Sequence, residues 1–167
     1  MPDSQIRLAT AVEYNALLRL FRNCSELMIA KGIMQWKYDY PDKAVIRKDL
    51  NNGHMWIHEI GNTVTGTVTI NSLEHPAYSQ VNWQHSCFQV IHRLAVDPDF
   101  QRKGIAKKLM RFAENHCLQE GYESIRLDAF TQNTGNIRFY KDLNYQQIGQ
   151  VHFNSHQEPF TCFEKLL

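Results

Sequence analysis

Apolar and polar residues alternate along QIRLAT, residues 5–10, and this period of two predicts a first strand. The period then changes to a helical one. Thr10 stands where an N-cap is wanted, with Glu13 as its reciprocal partner. Val12, Leu17, Leu18, Leu20 and Phe21 give the helix that follows a broad apolar face. A second helical piece, about Glu26 to Lys31, is expected to stop at Gly32. QWKYDYP breaks regularity at Pro41, and DKAVIRKDLNNG reads as a third helix closed by Asn52-Gly53. HMWIHEIGNTVTGTVTI predicts two strands around Gly61-Asn62, because Gly and Asn tolerate the positive φ of a tight hairpin turn.

Residues 74–86, EHPAYSQVNWQHS, form a long polar connection with embedded aromatics. CFQVIHRLAV is too apolar and β-branched for a surface strand and is placed at the centre of a sheet. KKLMRFAENHCLQEG is a helix ended by Gly121, SIRLDAF a strand, NTGNIRFYKDLN a short helix, and YQQIGQVHF and PFTCFEKLL the last two strands. The order is therefore β-α-α-α-β-β-β-α-β-α-β-β. Strands at about 88–97 and 123–129, joined through a helix, form a right-handed βαβ unit with parallel strands. With the antiparallel hairpin beside them, the class is α/β: a mixed sheet with helices on its faces.

Composition narrows the function classes. The 167 residues fit one domain, expected to span 1–167, since no repeat or linker interrupts them. A formal net charge of +1 gives no argument for nucleic acid or a membrane surface as partner. No segment is apolar for the roughly 18 residues a membrane span needs, and the start, MPDSQIRLAT, lacks the layout of a secretion signal. A soluble, cytoplasmic protein is expected. Cys24, Cys87, Cys117 and Cys162 show no CxxC spacing and read as free thiols. The 8 histidines form no HExxH, so no metal site is expected.

The stretch RLAVDPDFQRKGIAKKLM, Arg93 to Met110, carries the chemistry. A helix start leaves its first N–H groups unpaired and positively polarised. Gly104 lets an anion approach the backbone, Ala106 is nearly as small, and Arg102, Lys103, Lys107 and Lys108 add charge. Residues 101–107 can thus present several N–H groups to one phosphate cluster. The spacing alone is also that of an ordinary basic turn before a helix. Neither a Walker pattern nor a dinucleotide fingerprint is present.

Leu94-Ala95-Val96-Asp97-Pro98 followed by Gln101-Arg102-Lys103-Gly104-Ile105-Ala106 resembles the acetyl-CoA signature of the GCN5-related N-acetyltransferases, Q/R-x-x-G-x-G/A after a strand. Asn133 matches the residue that opens the family's short helix, and Phe139-Tyr140 its aromatic-Tyr pair. The family's usual Gly-Phe after that helix is Asn144-Tyr145 here, and Asn is the common substitute for Gly at a left-handed cap. The resemblance covers about residues 88–145 by motif and the rest by element order. It implies a central mixed sheet whose parallel strands splay, flanked by helices, and a pantetheine arm pairing with the backbone of Leu94 and Val96 like an added strand.

The activity the resemblance implies is acetyl transfer from acetyl-CoA to a primary amine of a small molecule or protein, by direct attack in a ternary complex. Coenzyme A would lie on Leu94, Ala95, Val96, Gln101 to Lys107, Asn133 and Tyr140. Tyr140 is the candidate acid for the departing thiolate; packing beside Phe139 is its plainer role. Asn133 holds pantetheine, caps the helix, or both. A carboxylate base on the central strand would stand near Val90, which cannot take a proton. His92 is the candidate base instead, with Glu59 and Glu74 as fallbacks. Trp36, Tyr38, Tyr78 and Trp83 are candidates for the acceptor pocket, among Asp39, Glu74 and His75. The protein is expected to be a monomer or homodimer. A non-catalytic acyl-CoA-binding module and a generic phosphate-binding protein remain the competing readings.

Overall fold

Among the residues that the computed structural model describes, 3–37 and 39–167, the chain runs β1 (Ser4–Leu8), α1 (Tyr14–Ala30), α2 (Lys43–Asn51), β2 (Met55–Ile60), β3 (Thr63–Asn71), β4 (Phe88–Val96), α3 (Ile105–Gln119), β5 (Ser124–Phe130), α4 (Thr134–Asp142), β6 (Gln146–Val151) and β7 (Phe160–Leu166). The strands form one mixed sheet in the order β1-β2-β3-β4-β5-β7-β6. CFQVIHRLAV, expected at the centre, is its fourth strand. The residues group into two compact units, the chain up to Ile70 with His92–Ala113, and Asn71–Ile91 with Glu114–Leu167.

In the first unit, β1 and β3 both pair antiparallel with β2. Gly61, at φ +59, turns the hairpin where the sequence placed it. Thr10 and Glu13 make the expected capping box. The two helical pieces expected before Gly32 are one continuous helix, α1. Polar residues midway along it turn inward: Cys24 Sγ donates to Val96 O at 3.2 Å and Ser25 Oγ to Tyr40 O at 3.5 Å. Leu17, Leu20 and Phe21 enter the core with Trp36, Ile46, Met55 and Ile57. Val12 does not: it is 86% exposed, because the first turn precedes the helix's buried stripe. α3 seats on β3 at Gly66, where a Cβ would stand 3.0 Å from both Ile105 and Leu109.

In the second unit, β4 and β5 run parallel through Phe88–Ser124, Gln89–Ile125 and Val90–Arg126. β5 then pairs antiparallel with β7 along its whole length. β7 rather than β6 takes the inner place because it is the more apolar strand, buried from Phe160 to Glu164, while β6 buries only Val151. All 4 cysteines are free; Cys24, Cys117 and Cys162 are buried and Cys87 is exposed. No helix among the described residues is long and apolar enough to cross a membrane.

Candidate active site

The segment after β4 is a tight turn. Asp97 Oδ1 accepts from Asp99 N at 3.1 Å, Phe100 N donates to Asp97 O at 2.8 Å, and Gln101 N donates to Pro98 O at 3.3 Å. Beyond Gln101 the backbone turns left-handed twice, at Arg102 (φ +59) and Gly104 (φ +79), and α3 begins at Ile105. Among the described residues, no protein acceptor meets the main-chain N–H groups of residues 102–107. Lys108 N is the first to be bonded, to Gly104 O at 3.0 Å. Nothing lies within 4 Å of a Cβ built on Gly104, so the face above the turn is open. Arg102, Lys107 and Lys108 are exposed there; Lys103 is partly engaged, its Nζ 3.1 Å from Asp99 O and over the Phe100 ring. Unpaired amides, an αL residue and a glycine without a neighbour form a concavity whose chemistry fits a phosphate.

The side chain of Gln101 braces this turn, Nε2 donating to Val96 O at 3.1 Å. Cys24 Sγ bonds the same oxygen. The main chain of Val96 faces away from β3, since the next residue's N–H, that of Asp97, donates to Thr65 O on β3. The acceptor half of the role expected of Val96 is thus taken by the protein's own donors.

Arg93 interrupts β4 with φ +50. The shared face expected for His92, Leu94 and Val96 rests on strict alternation, and a left-handed residue between the first two breaks it. His92 and Leu94 are half-buried; Ala95 and Val96 are buried. The Arg93 guanidinium bonds Asp49 Oδ2 through Nε (2.8 Å) and Nη2 (2.6 Å), and Nη1 donates to Tyr40 OH at 3.0 Å.

In the second unit, Asn133 caps α4, its side chain accepting from Asn136 N at 3.2 Å. The far end of α4 closes with a Schellman pattern: Tyr145 N donates to Tyr140 O (3.0 Å), Asn144 N to Lys141 O (2.9 Å), and Asn144 holds φ +64, the left-handed cap expected of it. Tyr140 is thereby fixed at its main chain, and its ring is packed among Phe139, Tyr145 and Phe163. Burial raises its phenol well above the ordinary value, and the nearby Asp128 adds to this.

Tyr78 and Trp83 come together, their ring centroids 5.0 Å apart, on a cavity of about 530 Å³ that Glu74, His75 and Asn82 also line. Tyr78 is 2% exposed and donates to Asp128 Oδ2 at 2.5 Å, so only a small part of it faces the cavity. Burial first, then Asp128, raises its phenol. Trp83 is fixed by Nε1 donating to Tyr78 O at 3.0 Å and by the Arg126 guanidinium over its ring. Arg126 also pairs with Glu74 at 2.5 Å, lies near Glu164, and donates to His85 O. Trp36 is 8% exposed and packs on Phe21, a core residue of its own unit. Tyr38 lies outside the described residues. Of the fallback bases, Glu59 is buried, and hydrogen bonds from Arg7 and Gln5 hold its carboxyl below the usual range; Glu74 is committed to Arg126.

Asp49, Arg93, Arg126 and Asp128 were missed by sequence reasoning. The signal that could have found them is a charged residue inside an otherwise apolar strand or on a helix's inner face, which must be paired to be tolerated.

The acetyltransferase (GNAT) family model matches residues 15–145. N-acetyltransferase 8F1 of Rattus norvegicus is 30% identical over 111 residues, 65% of this chain and 48% of that protein. The chain thus spans about half the length of this curated relative. A GNAT-family acetyltransferase from Streptococcus agalactiae superposes with a TM-score of 0.85 over 98% of this chain and 95% of its own, at 23% identity. The NatC complex bound to Gag peptide and CoA contains a chain that superposes at 0.72, covering 99% of each, at 15% identity.

Proposed function

Since this chain belongs to the acetyltransferase (GNAT) family, we propose that it is an acetyl-CoA-dependent N-acetyltransferase acting on a primary amine in a ternary complex, with 1–167 working as one catalytic domain. Family membership implies acyl transfer from an acyl-CoA. The choice of acetyl and of an amine is our reading, and a cationic amine suits the aromatic rings of Tyr78 and Trp83 that line the cavity beside Glu74. The observation that carries the proposal is the row of main-chain N–H groups at 102–107 that no protein acceptor meets.

Bound there, acetyl-CoA supplies an activated thioester. The diphosphate falls to the amides of residues 102–107, with Arg102 and Lys107 adding charge and Asn133 contributing on the pantetheine side. On β4, the backbone of Leu94 remains for strand-like pairing with the pantetheine, and a nearby N–H meets charge developing on the reacting carbonyl oxygen. His92, through water, accepts the proton the amine releases. Tyr140 donates toward the leaving sulfur. Its raised pKa keeps it protonated throughout the working pH range, and solvent restores the proton it gives.

Release of thiol from acetyl-CoA with a panel of polyamines, amino acids, aminoglycosides and peptide N-termini tests the activity. Tyr140→Phe should slow it about tenfold or more, within the usual range for a lost general acid. An unchanged rate removes Tyr140 from the mechanism. The second reading, a non-catalytic acyl-CoA-binding module, draws on the fully buried Val90 standing where a carboxylate base would. Calorimetric CoA binding with no turnover across the panel favours it.

A further inference from the structure

Of the described non-glycine residues with positive φ, namely Arg93, Arg102 and Asn144, only Arg93 lies inside a strand. Arg102 is in a turn and Asn144 is a helix cap, where such backbone is ordinary. A residue with a Cβ disfavours this conformation by about tenfold, and glycine does not. A strained residue persists only where its surroundings over-determine it, and those of Arg93 do so through its side chain.

Two segments meet that guanidinium, and a third braces the carboxylate it pairs with. Asp49, 4% exposed on α2, takes both Nε and Nη2 on its Oδ2. Thr69 Oγ1 of β3 donates to the same oxygen at 3.2 Å. Tyr40, from the segment before α2, accepts from Nη1. A carboxylate this buried is badly destabilised without its cation, so the ion pair cannot relax by releasing the arginine. The strand must keep whatever backbone conformation lets the side chain reach Asp49.

Resting on the acetyltransferase reading above, we infer that the Asp49–Arg93 pair is a positioning device for acyl transfer: it holds β4 kinked at Arg93 and thereby aims the main chain of Leu94. Neither side chain touches the reacting atoms. An ion pair that served only to stabilise the fold would have no reason to sit on the one residue of the strand that glycine would suit better.

Glycine separates the two roles. Arg93→Ala removes the clamp and keeps a Cβ that resists the kink; Arg93→Gly removes the clamp and adopts the kink freely. In the ligand-free chain, Arg93→Gly is expected to melt at or above Arg93→Ala, the reverse of their order at an ordinary strand position. In turnover per folded enzyme, with the best amine of the panel, kcat should fall about tenfold in Arg93→Ala and recover about fivefold or more in Arg93→Gly. Asp49→Asn should lower kcat in the wild-type background and have little effect in the Arg93→Gly background. Arg93→Gly melting below Arg93→Ala overturns the kink, and equal kcat in the two overturns its catalytic role. A wild type that turns over no amine overturns the acetyltransferase reading instead, while the melting comparison still judges the kink.

Discussion

His58 on β2 shows how a single side chain sets a pH window. It is 1% exposed, with Nδ1 2.6 Å from Thr65 Oγ1 and Nε2 lacking a partner among the described residues. Burial lowers its pKa, and the charge of Lys108 acts in the same direction. A base whose folded pKa lies below its unfolded value of about 6.5 takes up its proton more readily when unfolded. Its stability contribution is therefore complete above about pH 6.5 and lost as the pH falls below that. Glu13 acts in a lower window. Burial works against its charged form, but Arg7 and Thr10 outweigh this and hold it at about 2, so what it contributes is lost only as the pH falls from about 4.5 through that value. Melting temperature is expected to decline from pH 7 to pH 5 in the wild type and to decline less in His58→Phe. Parallel curves for the two would show that another group controls that range.

At the scale of elements, the seat of α3 on β3 depends on an absent side chain. A Cβ at Gly66 would lie 3.0 Å from Ile105 and Leu109 and 3.2 Å from the main-chain oxygen of Ala95. The two side chains can rotate, but the carbonyl cannot move without its strand. Gly66→Val should cost about 1–3 kcal/mol, as overpacking generally does, seen as a lower urea midpoint at unchanged slope. An unaltered midpoint would mean that α3 shifts freely. Most elements were legible because the signals were local: Thr10 with Glu13, Gly61 in the hairpin, Asn144 at the cap. The errors arose where tertiary contacts decide. α1 was divided into two pieces although it is continuous, and the inward bonds of Cys24 and Ser25 along it go to acceptors, Val96 O and Tyr40 O, that are remote in sequence. The kink at Arg93 was hidden because its stabilising partner, Asp49, belongs to a different helix. Within the candidate site, a turn with open main-chain N–H groups before α3 was readable from glycine and helix-start chemistry, whereas the commitment of Val96 O to Gln101 and Cys24 required the fold.

Across the whole molecule, the 4 cysteines fall into two classes. Burial pushes the thiols of Cys24, Cys117 and Cys162 up to about 12, leaving almost no thiolate at neutral pH. Cys87 is exposed at the start of β4. A thiol-reactive chromophore should consume one equivalent quickly in the native protein and the other three only in denaturant. Two or more fast equivalents would mean that one of the buried sulfurs opens to solvent. The same partition makes the protein a ready substrate for spectroscopy. A maleimide dye or spin label attaches at one known place without mutagenesis, close in sequence to the aromatic loop through Trp83, where its emission or mobility can report changes in that loop.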